Sequence, residues 1–103
     1  MVKSRSYQKY LIEALADPLE AASYLNATLE EGDKELFLLA LRNVTEARLG
    51  GMSKLAEATG LNRESLYRML SGKGNPELKS LDRLLHALGL KIAVEVDGHT
   101  GTQ

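Results

Sequence analysis

Apolar residues recur at helical spacing through most of this chain and switch to strict alternation only near its end. Tyr7, Tyr10, Leu11, Ala14 and Leu15 predict a first amphipathic helix from about Ser6 to Ala16. Asp17-Pro18-Leu19-Glu20 then restarts the chain. Asp17 is placed to cap, Pro18 falls at the first helical position where its missing N–H is no loss, and Glu20 completes a capping-box pattern. The second helix is expected to carry Leu19, Ala22, Leu25 and Leu29 inward and to stop at Gly32. Asp33 caps a third helix, DKELFLLALRNVTEARL, closed by Gly50-Gly51. Its first half is apolar on nearly every side. Leu36, Ala40, Val44 and Ala47 form one stripe, and Phe37 and Leu41, flanked by Leu38, form another. A helix apolar all round is buried on two sides, so this one is expected to be the spine.

Met52 to Ser71, MSKLAEATGLNRESLYRMLS, reads as two short helices joined by a tight turn. The first runs from Met52 to Thr59 with Leu55 and Ala56 inward, Ala56 being small enough for a steep crossing. Gly60 follows, where the chain must leave the helix with positive φ, a conformation glycine adopts at little cost. Leu61 returns to the core, and Asn62 caps a second helix running to about Leu70. There Leu66, Met69 and Leu70 share one face, while Arg63, Glu64, Tyr67, Arg68 and Ser71 share the other. This is the helix-turn-helix arrangement, whose second helix enters the DNA major groove. The plain alternative is a two-helix turn of an all-α domain.

Gly72-Lys73-Gly74-Asn75-Pro76 has the chemistry of a loop. Leu78, Leu81, Leu84, Leu85 and Leu88 mark a last helix ending at Gly89. Beyond it Leu90, Ile92, Val94 and Val96 alternate with Lys91, Ala93 and Glu95, a period of two that predicts a strand. A lone strand cannot satisfy its backbone groups or bury its apolar face. No second period-two run exists in the N-terminal half, so the expected partner is the same strand of a second copy, giving a homodimer with two-fold symmetry. Residues 97–103 read as a flexible tail.

Length and charge narrow the picture. The 103 residues suit one domain with a real core. There is no cysteine, which excludes disulfides and thiolate metal sites. The longest apolar run, Leu36 to Leu41, is far short of the roughly 20 residues of a membrane span, and no signal-peptide pattern follows Met1. The expectation is a soluble, cytoplasmic protein. Net charge is −1. Residues 1–51 hold six Lys/Arg against eight Asp/Glu, whereas Met52 to Lys79 hold five against three. A weakly basic face on a mildly acidic body suits a site-specific DNA binder with a second, non-nucleic partner.

With the whole chain laid out, it resembles the helix-turn-helix antidote (antitoxin) proteins of prophage-type addiction modules, within the larger lambda-repressor-like family. The matching segments are YLIEALADPLEAASYLNATLEEGD, ELFLLALRNVTEARLGGMSKLAEATGLNRESLYRMLSGKGNP and SLDRLLHALGLKIAV, about Tyr10 to Val94. A bare repressor-like domain would match only from about Asp33. The resemblance implies an all-α DNA-binding domain; with the elements read above, the expected fold is a lambda-repressor-like helix-turn-helix domain with two extra N-terminal helices and a short C-terminal β-strand. It also implies a repressor of its own operon that neutralises a small RNase-like toxin encoded beside it. Residues 1–31 then form an N-terminal extension, 33–89 the helix-turn-helix core and 90–96 the dimerisation strand.

For base contacts the candidates are Asn62, Arg63, Glu64, Tyr67 and Arg68. Arginine forks match guanine O6 and N7, asparagine pairs with adenine, and a carboxylate accepts from cytosine N4. Glu64 could equally pair with Arg68, and Tyr67 could pack partly on the core. Ser53, Lys54, Ser71, Lys73, Asn75 and Lys79 are the phosphate candidates, with free amides at the helix N-terminus near Met52. The dimer candidates are Leu90, Ile92, Val94 and Val96. The acidic excess of Glu13, Asp17, Glu20, Glu30 and Glu31 over Lys3, Arg5 and Lys9 could cover a basic toxin. Alternatively, those helices only cap the spine. Catalysis finds no footing: His86 and His99 are isolated, no metal-ligand spacing or nucleophile elbow occurs, and no cofactor is implied. A repressor of phage type without a toxin, and a pure protein-interaction module, remain the alternative readings.

Overall fold

Local caps set most helix boundaries. In the computed structural model, which describes residues 5–98, six α-helices follow in order: α1 Arg5–Leu15, α2 Pro18–Glu31, α3 Lys34–Leu49, α4 Met52–Thr59, α5 Arg63–Met69 and α6 Leu78–Ala87. The Asp17 carboxylate accepts from the Leu19 amide at 2.9 Å with Pro18 just inside the helix. Asp33 repeats the device on the Leu36 amide at 3.2 Å. Gly32, Gly50 and Gly60 close α2, α3 and α4 in the left-handed conformation.

Helix α3 is the spine: it packs against α1, α2 and α4, while α4 packs in turn against α5 and α6. One buried cluster runs from Leu11 and Leu15 through Phe37, Leu38, Leu41 and Val44 to Leu55, Leu66, Leu70, Leu84 and Leu88. Buried hydroxyls are satisfied inside their own helices, as where Thr45 Oγ1 donates to the Leu41 carbonyl at 2.8 Å. Arg48, in the last turn of α3, spans the molecule. Its Nη1 donates to the Ala16 carbonyl at 2.6 Å and its Nε to the Leu88 carbonyl at 2.9 Å, closing the C-terminal ends of α1 and α6 together.

Several expected faces are corrected. Leu11 and Leu15 are buried on α1, but Tyr7 and Tyr10 lie on the surface. On α2 the inward stripe is Ala21, Leu25 and Thr28; Leu19 and Leu29 are exposed. Leu36 points partly outward from α3, and Leu78 outward from α6. The larger correction concerns Leu90, Ile92, Val94 and Val96. Residues 90–97 have neither helix nor strand, and no strand occurs among the described residues. The physical reason is topological, because all the neighbouring elements are helices and a single copy offers no edge with which a ladder could form. The expected tail is described only to Gly98; residues 99–103, His99 included, lie outside the described residues. No helix among the described residues is long and apolar enough to cross a membrane.

Candidate nucleic-acid interface

Helices α4 and α5 meet across three residues, Gly60 to Asn62. The turn is held from both sides. Thr59 Oγ1 donates to the Leu55 carbonyl at 2.8 Å and accepts from the Leu61 amide at 3.2 Å, while Arg83 of α6 donates to the Thr59 carbonyl at 3.4 Å. Leu66 is fully buried and Leu70 nearly so, which fixes how α5 is rotated about its axis. Arg63, Glu64, Tyr67 and Arg68 are consequently exposed together on the opposite face.

Each of these side chains has a definable state. The Arg63 guanidinium lies over the Tyr67 ring, 5.8 Å from its centroid, one helical turn away. Arg68 Nη2 donates to Ser65 Oγ at 3.4 Å. Glu64 makes no ion pair with Arg68; on α6 the Asp82 carboxylate stands 3.5 Å from His86 Nε2. Asn62 behaves differently from a free reader. Its Oδ1 accepts from the Ser65 amide at 3.2 Å as the N-cap of α5. A bidentate grip on adenine needs that same oxygen.

The phosphate candidates form a discontinuous rim. Ser53 and Lys54 are exposed in the first turn of α4, whose N-cap, Gly51, brings no side chain to its free amides. Ser71 donates its hydroxyl to the Arg68 carbonyl at 2.9 Å and is half-buried. Lys73, Asn75 and Lys79 are exposed beyond it. Between Lys73 and Asn75, Gly74 is buried so closely that a Cβ would run into the Met69 carbonyl, which presses the loop onto the end of α5.

A family model described as "Probable addiction module antidote protein" matches residues 7–96. The chain belongs to that family. Among relatives of this antidote-family chain is an uncharacterized protein of Haemophilus influenzae, 40% identical over 83 residues, which are 81% of this chain and 84% of the relative. No solved structure matches it. The match extends across α1 and α2 as well as α3 to α6.

Two residues of the antidote's surface escape a reading based on helical faces of single elements. Arg42, exposed on α3, lines the same groove as Ser53 and Tyr67, and so adds a cation beside the α4 N-terminus. Glu35, in the first turn of α3, lies against Gly72, its Oε2 3.2 Å from where a Cβ would stand. It brings a carboxylate beside the loop that carries Lys73. Both juxtapositions cross from α3 to a later element, and no spacing within one helix signals them.

Proposed function

We propose that this chain is a sequence-specific DNA-binding repressor and the antitoxin of a toxin–antitoxin module. It represses its own operon through a helix-turn-helix made by α4 and α5, in a lambda-repressor-like core of residues 33–89. It neutralises a small, basic, RNase-like toxin encoded beside it. It works in the cytoplasm as a homodimer on an inverted-repeat operator, needs no cofactor and catalyses nothing. The observation that carries the DNA-binding part is the rotation of α5: burial of Leu66 and Leu70 turns Arg63, Glu64, Tyr67 and Arg68 outward as one face. The antitoxin part rests on membership of the antidote family.

Base readout falls to Arg63 and Arg68, with Glu64 and Tyr67 beside them and the Asn62 amide at the edge. Ser53, Lys54, Ser71, Lys73, Asn75 and Lys79 position the duplex through its phosphates. Quantitative footprinting on the chain's own promoter tests this. Arg63→Ala and Arg68→Ala are expected each to lose roughly 1–3 kcal/mol of discrimination at one half-site position. Lys54→Ala should weaken binding to every sequence alike and lower the salt slope by about 1. Two arginine variants that footprint like the wild type would show that this face does not read DNA.

For the toxin, the exposed carboxylates Glu13, Asp17, Glu20, Glu30 and Glu31 of α1, α2 and the linker between them offer an acidic surface. Charge reversal at Glu13, Glu20 and Glu31 is expected to release the neighbouring gene's product in co-purification while leaving promoter binding intact. Retention of that product by the triple variant would place the contact elsewhere.

A further inference from the structure

Residues 90–96 carry alternating apolar side chains on a segment with no helix or strand, and the cover on those side chains falls away along it. Val94 and Val96 are each 94% exposed and Ile92 is 39% exposed. The last backbone hydrogen bond on this side of the chain is that of the Leu90 amide to the Leu85 carbonyl at 2.8 Å; from Lys91 to Val96 none forms among the described residues.

The segment nevertheless leaves the domain in a fixed direction. The Leu90–Leu85 bond pairs with that of the Gly89 amide to the His86 carbonyl at 3.0 Å, and Gly89 has φ 82°. Together these form a Schellman motif, which requires a left-handed residue at its corner. Gly89 serves a second purpose: a Cβ there would stand 2.8 Å from Arg48 Nη2, the guanidinium that seals the Leu88 carbonyl. Leu90 itself packs on the core. The segment is therefore anchored at its base and bare at its far end.

The order of residues decides what can cover it. Directly opposed residues in a ladder share a face, so an apolar residue must oppose an apolar one. A parallel pair of copies sets Lys91 beside Lys91 and Glu95 beside Glu95. Antiparallel pairing about Ile92 sets Val96 against Leu88, which belongs to the helix cap, and leaves Lys91 opposite Ala93. Pairing about Val94 sets Leu90 against Gly98, which has no side chain. Pairing about Ala93 satisfies every position: Leu90 opposes Val96, Ile92 opposes Val94, and Lys91 opposes Glu95, each twice.

We propose that residues 90–96 form an antiparallel two-stranded ribbon with the same residues of a second copy, centred on Ala93, with Lys91 of each copy opposite Glu95 of the other. The ribbon returns the far end of each strand to the anchored base of its partner. Val96, bare in one copy, comes to lie beside Leu90 at the edge of the other's core. One row of unpaired backbone groups from each copy joins the ladder, and the apolar face becomes continuous with two cores. This pairing deepens the reading of the protein as a homodimer and does not depend on DNA binding, because it is measured without DNA.

Sedimentation equilibrium of the full chain and of its charge variants provides the first test. Lys91→Glu and Glu95→Lys each turn two attractive cross-strand pairs into repulsive ones and are expected to weaken the dimer about tenfold. The double variant Lys91→Glu/Glu95→Lys restores both pairs and should recover wild-type affinity. Since the natural chain has no cysteine, Ala93→Cys gives an independent readout: mild oxidation should cross-link it to a covalent dimer, and Val94→Cys should cross-link far less. A wild-type chain that stays monomeric at tens of micromolar overturns the whole inference and the dimer reading with it. A stable dimer in which the charge swap fails to rescue, or in which Val94→Cys cross-links as readily as Ala93→Cys, overturns the pairing and leaves the dimer standing.

Discussion

The Oδ1 of Asn62 is occupied by the Ser65 amide at 3.2 Å, so this side chain begins α5 whether or not it also reads a base. The two duties separate by substitution. Asn62→Asp keeps an N-cap oxygen and should leave unfolding free energy within about 0.5 kcal/mol, whereas Asn62→Ala should cost about 1 kcal/mol. If Asn62→Asp also binds the promoter like the wild type, Asn62 is a cap and not a reader. Glu35 presents a different case, a carboxylate whose charge would oppose the phosphates of a bound duplex. Its carboxylate borders Gly72, next to Lys73. Glu35→Gln is expected to tighten binding to any duplex by about two- to threefold at low salt, an effect that screening should erase at high salt. A titration of affinity against salt concentration checks it.

At the scale of elements, boundaries were more legible than faces. Asp17, Asp33, Gly50, Gly60 and Asn62 act on backbone groups two to five residues away, and so their effects are written locally in the chain. Which face of α2 turns inward depends instead on how near α3 comes. Of the expected stripe Leu19, Ala22, Leu25 and Leu29, Leu25 is buried but Leu19 and Leu29 are exposed; the stripe that packs contains Ala21 and Thr28 beside Leu25. Small residues allow the helices to approach, and Thr28 meets the apolar interior by donating its hydroxyl to the Leu25 carbonyl at 2.7 Å. Hydropathy alone ranks these residues below leucine. Denaturant titration should therefore show Ala21→Leu costing about 1–3 kcal/mol by overpacking, and Leu19→Ala within about 0.5 kcal/mol of wild type. The outward face of α5 was legible for the converse reason, since Leu66 and Leu70 lie one turn apart and no second stripe competes with them. The alternation at 90–96 predicts a strand, yet the chain supplies no second edge for it and none forms among the described residues.

For the whole molecule, the single core from Leu11 to Leu88 joins α1 and α2 to the four later helices. A chain beginning at Asp33 gives up Leu11, Leu15, Ala21 and Leu25 from that core. Such a fragment is expected to bind an apolar dye and to lose cooperative unfolding while keeping much of its helical circular dichroism. Cooperative unfolding of the fragment would instead mark the first two helices as an accessory. The proposed two-fold ribbon would also constrain a DNA site: two α5 helices should engage half-sites about 34 Å apart, one turn of DNA. Inserting five base pairs between the half-sites should abolish repression, and inserting ten should restore part of it. Arg48 has a further consequence, which concerns time. Its partners lie 32 and 40 residues away, at the ends of the first helix and of the last. One bond closes a loop on the N-terminal side and the other a loop on the C-terminal side, so the complete contact forms only once both halves have docked on α3, late in folding. Arg48→Met should therefore leave the refolding limb of a stopped-flow chevron where it is and raise the unfolding limb, shortening the lifetime of the native state without delaying its formation.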